Sequence, residues 1–317
     1  MINGLLERKT PKPASPAWLI WVAWEKALTL TGLLLLAFPL LGLAQQVGMR
    51  VEKTIDATPT PRISLTNLNG RVVVRGWDKL QIHIVSTPST PLVSVEMEII
   101  PSGGPAEKLR LNTEAHNGTV SAKEASTDYF LEVPLASSLD LRDFEGNIQV
   151  QRLQGDVGIE SGGAPVEVDD VSGHLAVRSL NGDIRISRAA GRVEANSVCG
   201  SLYFISPSGT DLRAVTTSGK IVLEGDFVPA ADYQLATWSG NMDVYTSPGG
   251  YYDLVAKSVK GKVVRDPETL QSRPRRARRY PGSSAFSATG SGEATLELKS
   301  FSGIIRINPM HHDSDGR

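Results

Sequence analysis

The chain has 317 residues, with 33 Lys and Arg against 34 Asp and Glu, so its net charge is −1. That balance argues against a dedicated nucleic-acid binder, which carries a basic excess, while 40% hydrophobic residues suffice for a sizeable core. The one cysteine, Cys199, excludes an internal disulfide framework and a zinc site built from paired CxxC motifs.

Residues 1–44 read as an export signal. Arg8, Lys9, Lys12 and Lys26 precede an uncharged run over 27–43, and Gly42-Leu43-Ala44 stands before Gln45. A basic leader, an apolar stretch and a small-x-small site together make a secretory signal peptide. The alternative is an N-terminal membrane anchor, uncleaved, through residues 18–43. Glu25-Lys26 inside so long a span makes that arrangement costly. The expectation is cleavage after Ala44 and export to the periplasm, cell envelope or outer surface, where a nearly thiol-free chain is at home.

Residues 45–142 carry long strand patterns, at 51–57, 62–66, 71–75, 80–85, 92–100, 109–112, 119–122 and 129–133. They are predicted to start or cap the repeat that follows, since an uncovered sheet end invites edge-to-edge aggregation.

From residue 143 to 308 the chain repeats. Gly146, Gly155, Gly173, Gly182, Gly191 and Gly200 fall on one nine-residue grid, with Ala164 at the missing point. Each is followed by alternating apolar residues, such as Ile148 and Val150 or Ile184 and Ile186, which marks a strand with one buried face. Three residues before alternate grid points stand Ser161, Ser179 and Ser197, and the series continues as Thr216, Thr237, Ser258 and Ser300 before Gly219, Gly240, Gly261 and Gly303. The unit is therefore two strands per coil of 18–21 residues. The fold expected is all-β, a parallel β-solenoid with an N-terminal β-rich cap and coils stacked in chain order. Residues 266–291 read as an inserted loop at a corner, after which 294–298 resumes the stack and 304–307 closes it. Residues 309–317 read as a flexible tail.

Several segments together resemble a known family. They are Arg62-Ile63-Ser64-Leu65-Thr66-Asn67-Leu68-Asn69-Gly70, Tyr129-Phe130-Leu131-Glu132-Val133-Pro134, Leu139-Asp140-Leu141, the Gly-Asn-Ile-Gln-Val and Gly-Asp-Ile-Arg-Ile corners, and Leu296-Glu297-Leu298-Lys299-Ser300-Phe301-Ser302-Gly303. Over nearly all of 50–308 the chain resembles a bacterial family of exported β-strand-repeat proteins known as putative adhesins. The resemblance implies a β-solenoid and an envelope location, and it supplies no catalytic residues.

Candidate chemistry is sparse. His83 and His174 sit at outward strand positions, His116 stands alone, and His311-His312 belong to the tail. Neither a metal nor any other cofactor is expected. A calcium-binding β-roll needs an aspartate in every turn, whereas Lys220, Ser201 and Arg192 occupy places matching Asp156 and Asp183. Asn117-Gly118-Thr119 fits a glycosylation sequon and, more simply, an Asn-Gly turn. Glu167, Asp169 and Asp170 form a local acidic cluster on an outward face. The sharpest electrostatic feature is Arg273, Arg275, Arg276, Arg278 and Arg279, a candidate anion-binding loop for phosphate-bearing or acidic partners. The function expected is a non-enzymatic, adhesin-like binding or structural module of the envelope, with a glycan, lipid or protein as partner and no nucleic acid. The alternative is a polysaccharide lyase or hydrolase on the same scaffold, which would need two carboxylates within about 10 Å in one cleft.

Overall fold

The computed structural model describes residues 50–115, 124–247, 252–266, 274–275, 284–288 and 294–310, all within the unit Gly48–Arg317. The expected signal segment 1–44, the strand expected at 119–122, His116, Asn117 and the histidines of the tail lie outside the described residues.

Among the described residues the regular structure is all strand. β1 (Val51–Asn67) is one long strand where two were predicted. β2 (Arg71–Trp77), β3 (Gln81–Pro88), β4 (Val93–Ile100), β5 (Ala106–Ala115) and β6 (Thr127–Pro134) follow it. Then the chain alternates between two faces. The odd face carries β7 (Ser138–Asp143), β9 (Val157–Ser161), β11 (Leu175–Ser179), β13 (Arg192–Ser197), β15 (Asp211–Thr216) and β17 (Asp232–Thr237). The even face carries β8 (Asn147–Leu153), β10 (Val166–Val171), β12 (Ile184–Ser187), β14 (Leu202–Ile205), β16 (Ile221–Glu224) and β18 (Met242–Thr246).

Within each face every strand pairs in parallel with the one a coil away. Leu139, Val157, Leu175, Val193, Leu212 and Tyr233 are in register on the odd face. Ile148, Val166, Ile184, Leu202, Ile221 and Met242 are in register on the even face. These side chains are buried and meet between the faces in one continuous core. Each fully buried Val, Leu or Ile stabilises by about 1.5–3 kcal/mol relative to exposure. Ile184 and Ile186 point inward and Arg185 outward, as the alternation requires.

The corners explain the glycine grid. A Cβ on Gly182 would stand 1.9 Å from the Ala164 carbonyl oxygen, and one on Gly200 2.0 Å from that of Gly182. Successive corners are thus stacked backbone on backbone. Beneath them runs a buried polar ladder of Asn67, Asp143, Ser161, Ser179, Ser197, Thr216, Thr237, Ser300 and Ser258. The Ser197, Thr216 and Thr237 hydroxyls accept from the N–H of Gly200, Gly219 and Gly240 at 2.8, 3.1 and 2.9 Å. Ser161 and Ser179 instead donate to the carbonyls of Ala164 and Gly182. On the opposite edge the turn passes through left-handed residues at Arg152, Asp170, Arg188 and Ser206, none of them glycine.

The ends depart from the expected order. β19 (Asp253–Ser258), β20 (Val263–Arg265), β21 (Pro274–Arg275), β22 (Ser284–Ala288), β23 (Thr295–Ser300) and β24 (Ile305–Pro309) complete the chain. β23 pairs in parallel with both β17 and β19, and β24 with both β18 and β20. The last coil therefore does not close the stack; it lies inside it, with β19 and β20 beyond. At the other end β1 lies between β5 and β7, and β2 between β6 and β8.

The pairing is also not parallel throughout. β4 runs antiparallel on β5, β3 on β6, the first half of β1 on β3, and β22 on β19. These strands cover edges that a purely parallel stack would leave with free N–H and C=O groups. The segment expected as an inserted loop at 266–291 contributes β21 and β22 to that cover.

Candidate functional site

Most of the predicted site residues do not converge. Arg273, Arg276, Arg278 and Arg279 lie outside the described residues, and Arg275 is described only through its backbone pairing with Ser287 in β21. His83 points outward between buried Ile82 and Ile84, half-covered by its neighbours. Its ring nitrogens meet Glu52 at 3.2 Å and Glu132 at 3.3 Å, and this hydrogen bond, with Arg50 nearby, holds the Glu52 carboxyl below its usual range. The acidic cluster disperses: Glu167 accepts from Gln149 at 3.1 Å, Asp169 pairs with Arg188, and Asp170 is one of the left-handed corner residues. Cys199 is exposed at a corner. Among the described residues no three His, Cys, Asp or Glu side chains gather as metal ligands do.

Elsewhere the outward columns are occupied by charges that pair along the stack. On the odd face Glu160 lies 3.4 Å from Arg142 and 3.8 Å from Arg178, and Asp211 lies 3.7 Å from Arg192. On the even face Asp243 is buried between Lys220 at 2.7 Å and Arg306 at 3.2 Å, and its hydrogen bond pushes the Lys220 ammonium up. The exposed pairs are each worth about 0–1 kcal/mol; they make the faces polar without making them reactive.

Two places break this pattern. One is the odd-face corner. From Asp143 onward the residue after each ladder position is Phe144, Gly162, Leu180, Val198, Thr217, Trp238, Phe301 and Val259 in stacking order, tied rung to rung by backbone N–H to carbonyl bonds. Phe144, Leu180, Val198, Trp238 and Val259 are exposed, Trp238 by 59%. Trp238 and Phe301 stack with centroids 4.3 Å apart, and Lys260 lies 4.8 Å from the Phe301 ring. Seven rung steps make this row about 34 Å long, its apolar members interrupted by Gly162 and Thr217. The apolar type of this corner position is visible in the sequence, yet the contact of Trp238 with Phe301 exists only because β23 enters next to β17.

The other is a basin of about 570 Å³ on the odd face, where β5, β1, β7, β9 and β11 lie side by side. Its floor is small, through Gly158 and Ala176, and its walls carry Arg62, Lys108, Asp140 and Asp156. Its only sequence signal was a glycine and an alanine at outward positions; its cations come from β1, beside β7, and from β5, beside β1, a placement no local pattern announces.

No family model matches the chain, and no curated protein matches it. Solved structures do. The chain is similar to a putative adhesin from Bacteroides fragilis NCTC 9343 at 10% identity and TM-score 0.45, over 82% of this chain and 97% of that one. A putative lipid binding protein from Parabacteroides distasonis ATCC 8503 is similar at 12% identity and TM-score 0.36, over 83% and 98%. A putative cell adhesion protein from Clostridium sporogenes ATCC 15579 is similar at 9% identity and TM-score 0.26, over 82% and 99%. At such scores the likeness carries no argument about what this chain does.

Proposed function

We propose that the chain is a β-solenoid exported to the cell envelope, where it serves as a non-enzymatic, adhesin-like binding module and engages a partner protein through the odd-face corner. The observation that carries this reading is the corner row of Phe144, Leu180, Val198 and Trp238, left exposed beside flat faces whose exposed large apolar side chains from β7 onward, among the described residues, are the scattered Val215, Val255 and Val264. Clustered apolar side chains at the surface mark interaction sites, here in the pairs Leu180–Val198 and Trp238–Phe301, and tryptophan is enriched where binding energy concentrates. A convex strip one side chain wide suits a groove on a protein better than it suits a flat bilayer. The test places a photo-crosslinking residue at Leu180 and, as control, at Arg185, in cells that export the chain. Crosslinks from position 180 that vanish in Trp238→Ala support the reading. Equal capture from both positions, or capture of lipid or glycan alone, overturns it. N-terminal sequencing of the same material should find Gln45 first; an intact 18–43 segment in membranes would replace export by anchoring.

One observation favours the polysaccharide lyase or hydrolase reading. Asp140 on β7 and Asp156, the residue before β9, line the same basin two residues apart in the register. Asp156 already accepts the backbone N–H of His174 at 3.1 Å, and Asp140 lies 3.9 Å from Arg142. That reading requires depolymerisation of an acidic glycan that is lost in Asp140→Asn.

A further inference from the structure

We infer that the odd-face basin is a binding site for an acidic saccharide, its carboxylate held by Arg62 and Lys108 and its hydroxyls by Asp140, Ser64 and Ser138. The site is independent of the corner ridge.

The space has a specific origin. Across the rungs the outward column reads Arg110, Ser64, Asp140, Gly158, Ala176, Glu194 and Arg213. The two smallest members are neighbours, and the opening of about 570 Å³ lies over them. That is within the usual range for small-ligand pockets, roughly 300–1,000 Å³.

The fold does not demand this opening. A Cβ on Gly155 or Gly173 would lie 2.3 or 2.4 Å from a backbone carbonyl oxygen, so those corner glycines are structural. A Cβ on Gly158 would meet nothing nearer than the Leu139 carbonyl oxygen at 3.8 Å, an ordinary contact in a plain strand. Any side chain fits the backbone there, and every larger one would fill the basin.

The charges fit one ligand class. Arg62 and Lys108 are in-register neighbours on β1 and β5, and among the described residues neither has a hydrogen-bond or ion-pair partner. Two adjacent cations repel unless an anion bridges them, and a guanidinium offers a carboxylate a two-pronged grip. Arg110 beside them is already held by Glu98 at 2.9 Å. On β7, one strand from Arg62, stands Asp140, an acceptor of hydroxyl protons, with Ser64 in register beside it, Ser138 beside Arg62, and Asp156 further along the lining. A bare phosphate or sulfate would satisfy the first end and be repelled at the second. A sugar ring bearing a carboxylate satisfies both.

Titration calorimetry with oligogalacturonate, a neutral galactose oligomer of equal length, and sodium sulfate tests the inference on the exported chain. Oligogalacturonate should bind and the neutral oligomer should not. Arg62→Gln and Lys108→Gln should each weaken binding by about tenfold or more, the worth of one charge-assisted contact. Gly158→Val and Ala176→Leu should abolish it with the thermal midpoint unchanged, and Trp238→Ala should leave it intact. Equal binding of the neutral oligomer, sulfate binding as tightly as oligogalacturonate, or undiminished affinity in Gly158→Val would each overturn the assignment.

Discussion

Between β7 and β18 the strands lie in space in the order they occur in the chain; at the two ends they do not. At the N-terminal end β1 and β2 are sandwiched between β5 and β6 on one side and β7 and β8 on the other. At the C-terminal end β23 and β24 are sandwiched between β17 and β18 and the outermost pair, β19 and β20. Both ends follow one rule. The strands nearest the terminus go inside, an internal segment goes outside, and an antiparallel strand covers the odd-face edge. Chain ends fray when nothing holds them, and here each terminal coil has neighbours on both sides. The comparison teaches that a coil's identity as a coil and its place in the stack are separate pieces of information.

The largest test of this arrangement is a buried charge. Ile186→Asp in the central stack places an unpaired carboxylate in the core, at a cost of several kcal/mol against a total stability of about 5–15. Leu298→Asp in β23 should be equally destructive, because Leu298 is fully buried between Leu235 and Ala256. A terminal coil lying at an open end would tolerate it far better. Arg185→Asp, on the outward side of β12, should remain soluble and folded. Circular dichroism melts of the three variants decide between the two arrangements.

Next in size is the corner stacking. Gly182→Ala would push a methyl group to 1.9 Å from the Ala164 carbonyl oxygen, so the whole corner must move. We expect a loss of about 3 kcal/mol or more, with strain rather than cavity as the cause. Gly303→Ala should match it, since the same clash arises there with Gly240 at 1.8 Å. Urea midpoints would show the two falling together, and a mild effect at Gly303 would mean that the inserted coil packs more loosely than the centre.

How much of this was legible follows from the same separation. The alternation of Ile184, Arg185 and Ile186, the glycine grid and the Ser/Thr series all report local geometry, and the structure has each where its period puts it. The interleaved ends were not legible, because Gly70, Gly240 and Gly303 carry the same corner signal whichever rung they join. The left-handed turns at Arg152, Asp170 and Arg188 were illegible for another reason: arginine gives no hint of a positive φ, and the single Asp170, of a type that tolerates one, is too little to mark the series. Of the candidate sites, the ridge was written in the sequence as an apolar residue after most ladder positions, Gly162 and Thr217 excepted. The basin was not, since Arg62 and Lys108 reach it only through the rearranged N-terminal end.

A pH scan reads the outermost coils. Burial pushes the phenols of Tyr129 in β6 and Tyr252, just before β19, from 10.0 up to about 12. The unfolded chain releases these protons first, so the native state binds more protons over this interval. Stability therefore falls as pH rises from about 10 to 12, by roughly 2–3 kcal/mol per tyrosine. Tyr252→Phe should remove part of that alkaline loss, and hydrogen exchange should show β19 and β5 opening before β11. Uniform opening along the stack would make the ends as stable as the middle.

The smallest expected effect makes the finest comparison. In the central stack the buried Ser197 hydroxyl accepts the Gly200 N–H at 2.8 Å, and in the inserted terminal coil Ser300 accepts the Gly303 N–H at the same 2.8 Å. Replacing either serine by alanine leaves a buried N–H without its acceptor, which costs about 1–3 kcal/mol. If a coil's stability depends on its neighbours and not on its order of synthesis, Ser197→Ala and Ser300→Ala should lose the same amount, to within about 0.5 kcal/mol, the tolerance expected of distant sites. Threonine is the control at both positions, because Thr216 and Thr237 make the same bond in adjacent coils. Ser300→Ala costing much less than Ser197→Ala, with threonine neutral at both, would show that the terminal coil is held by its covering strands and not by the ladder it completes.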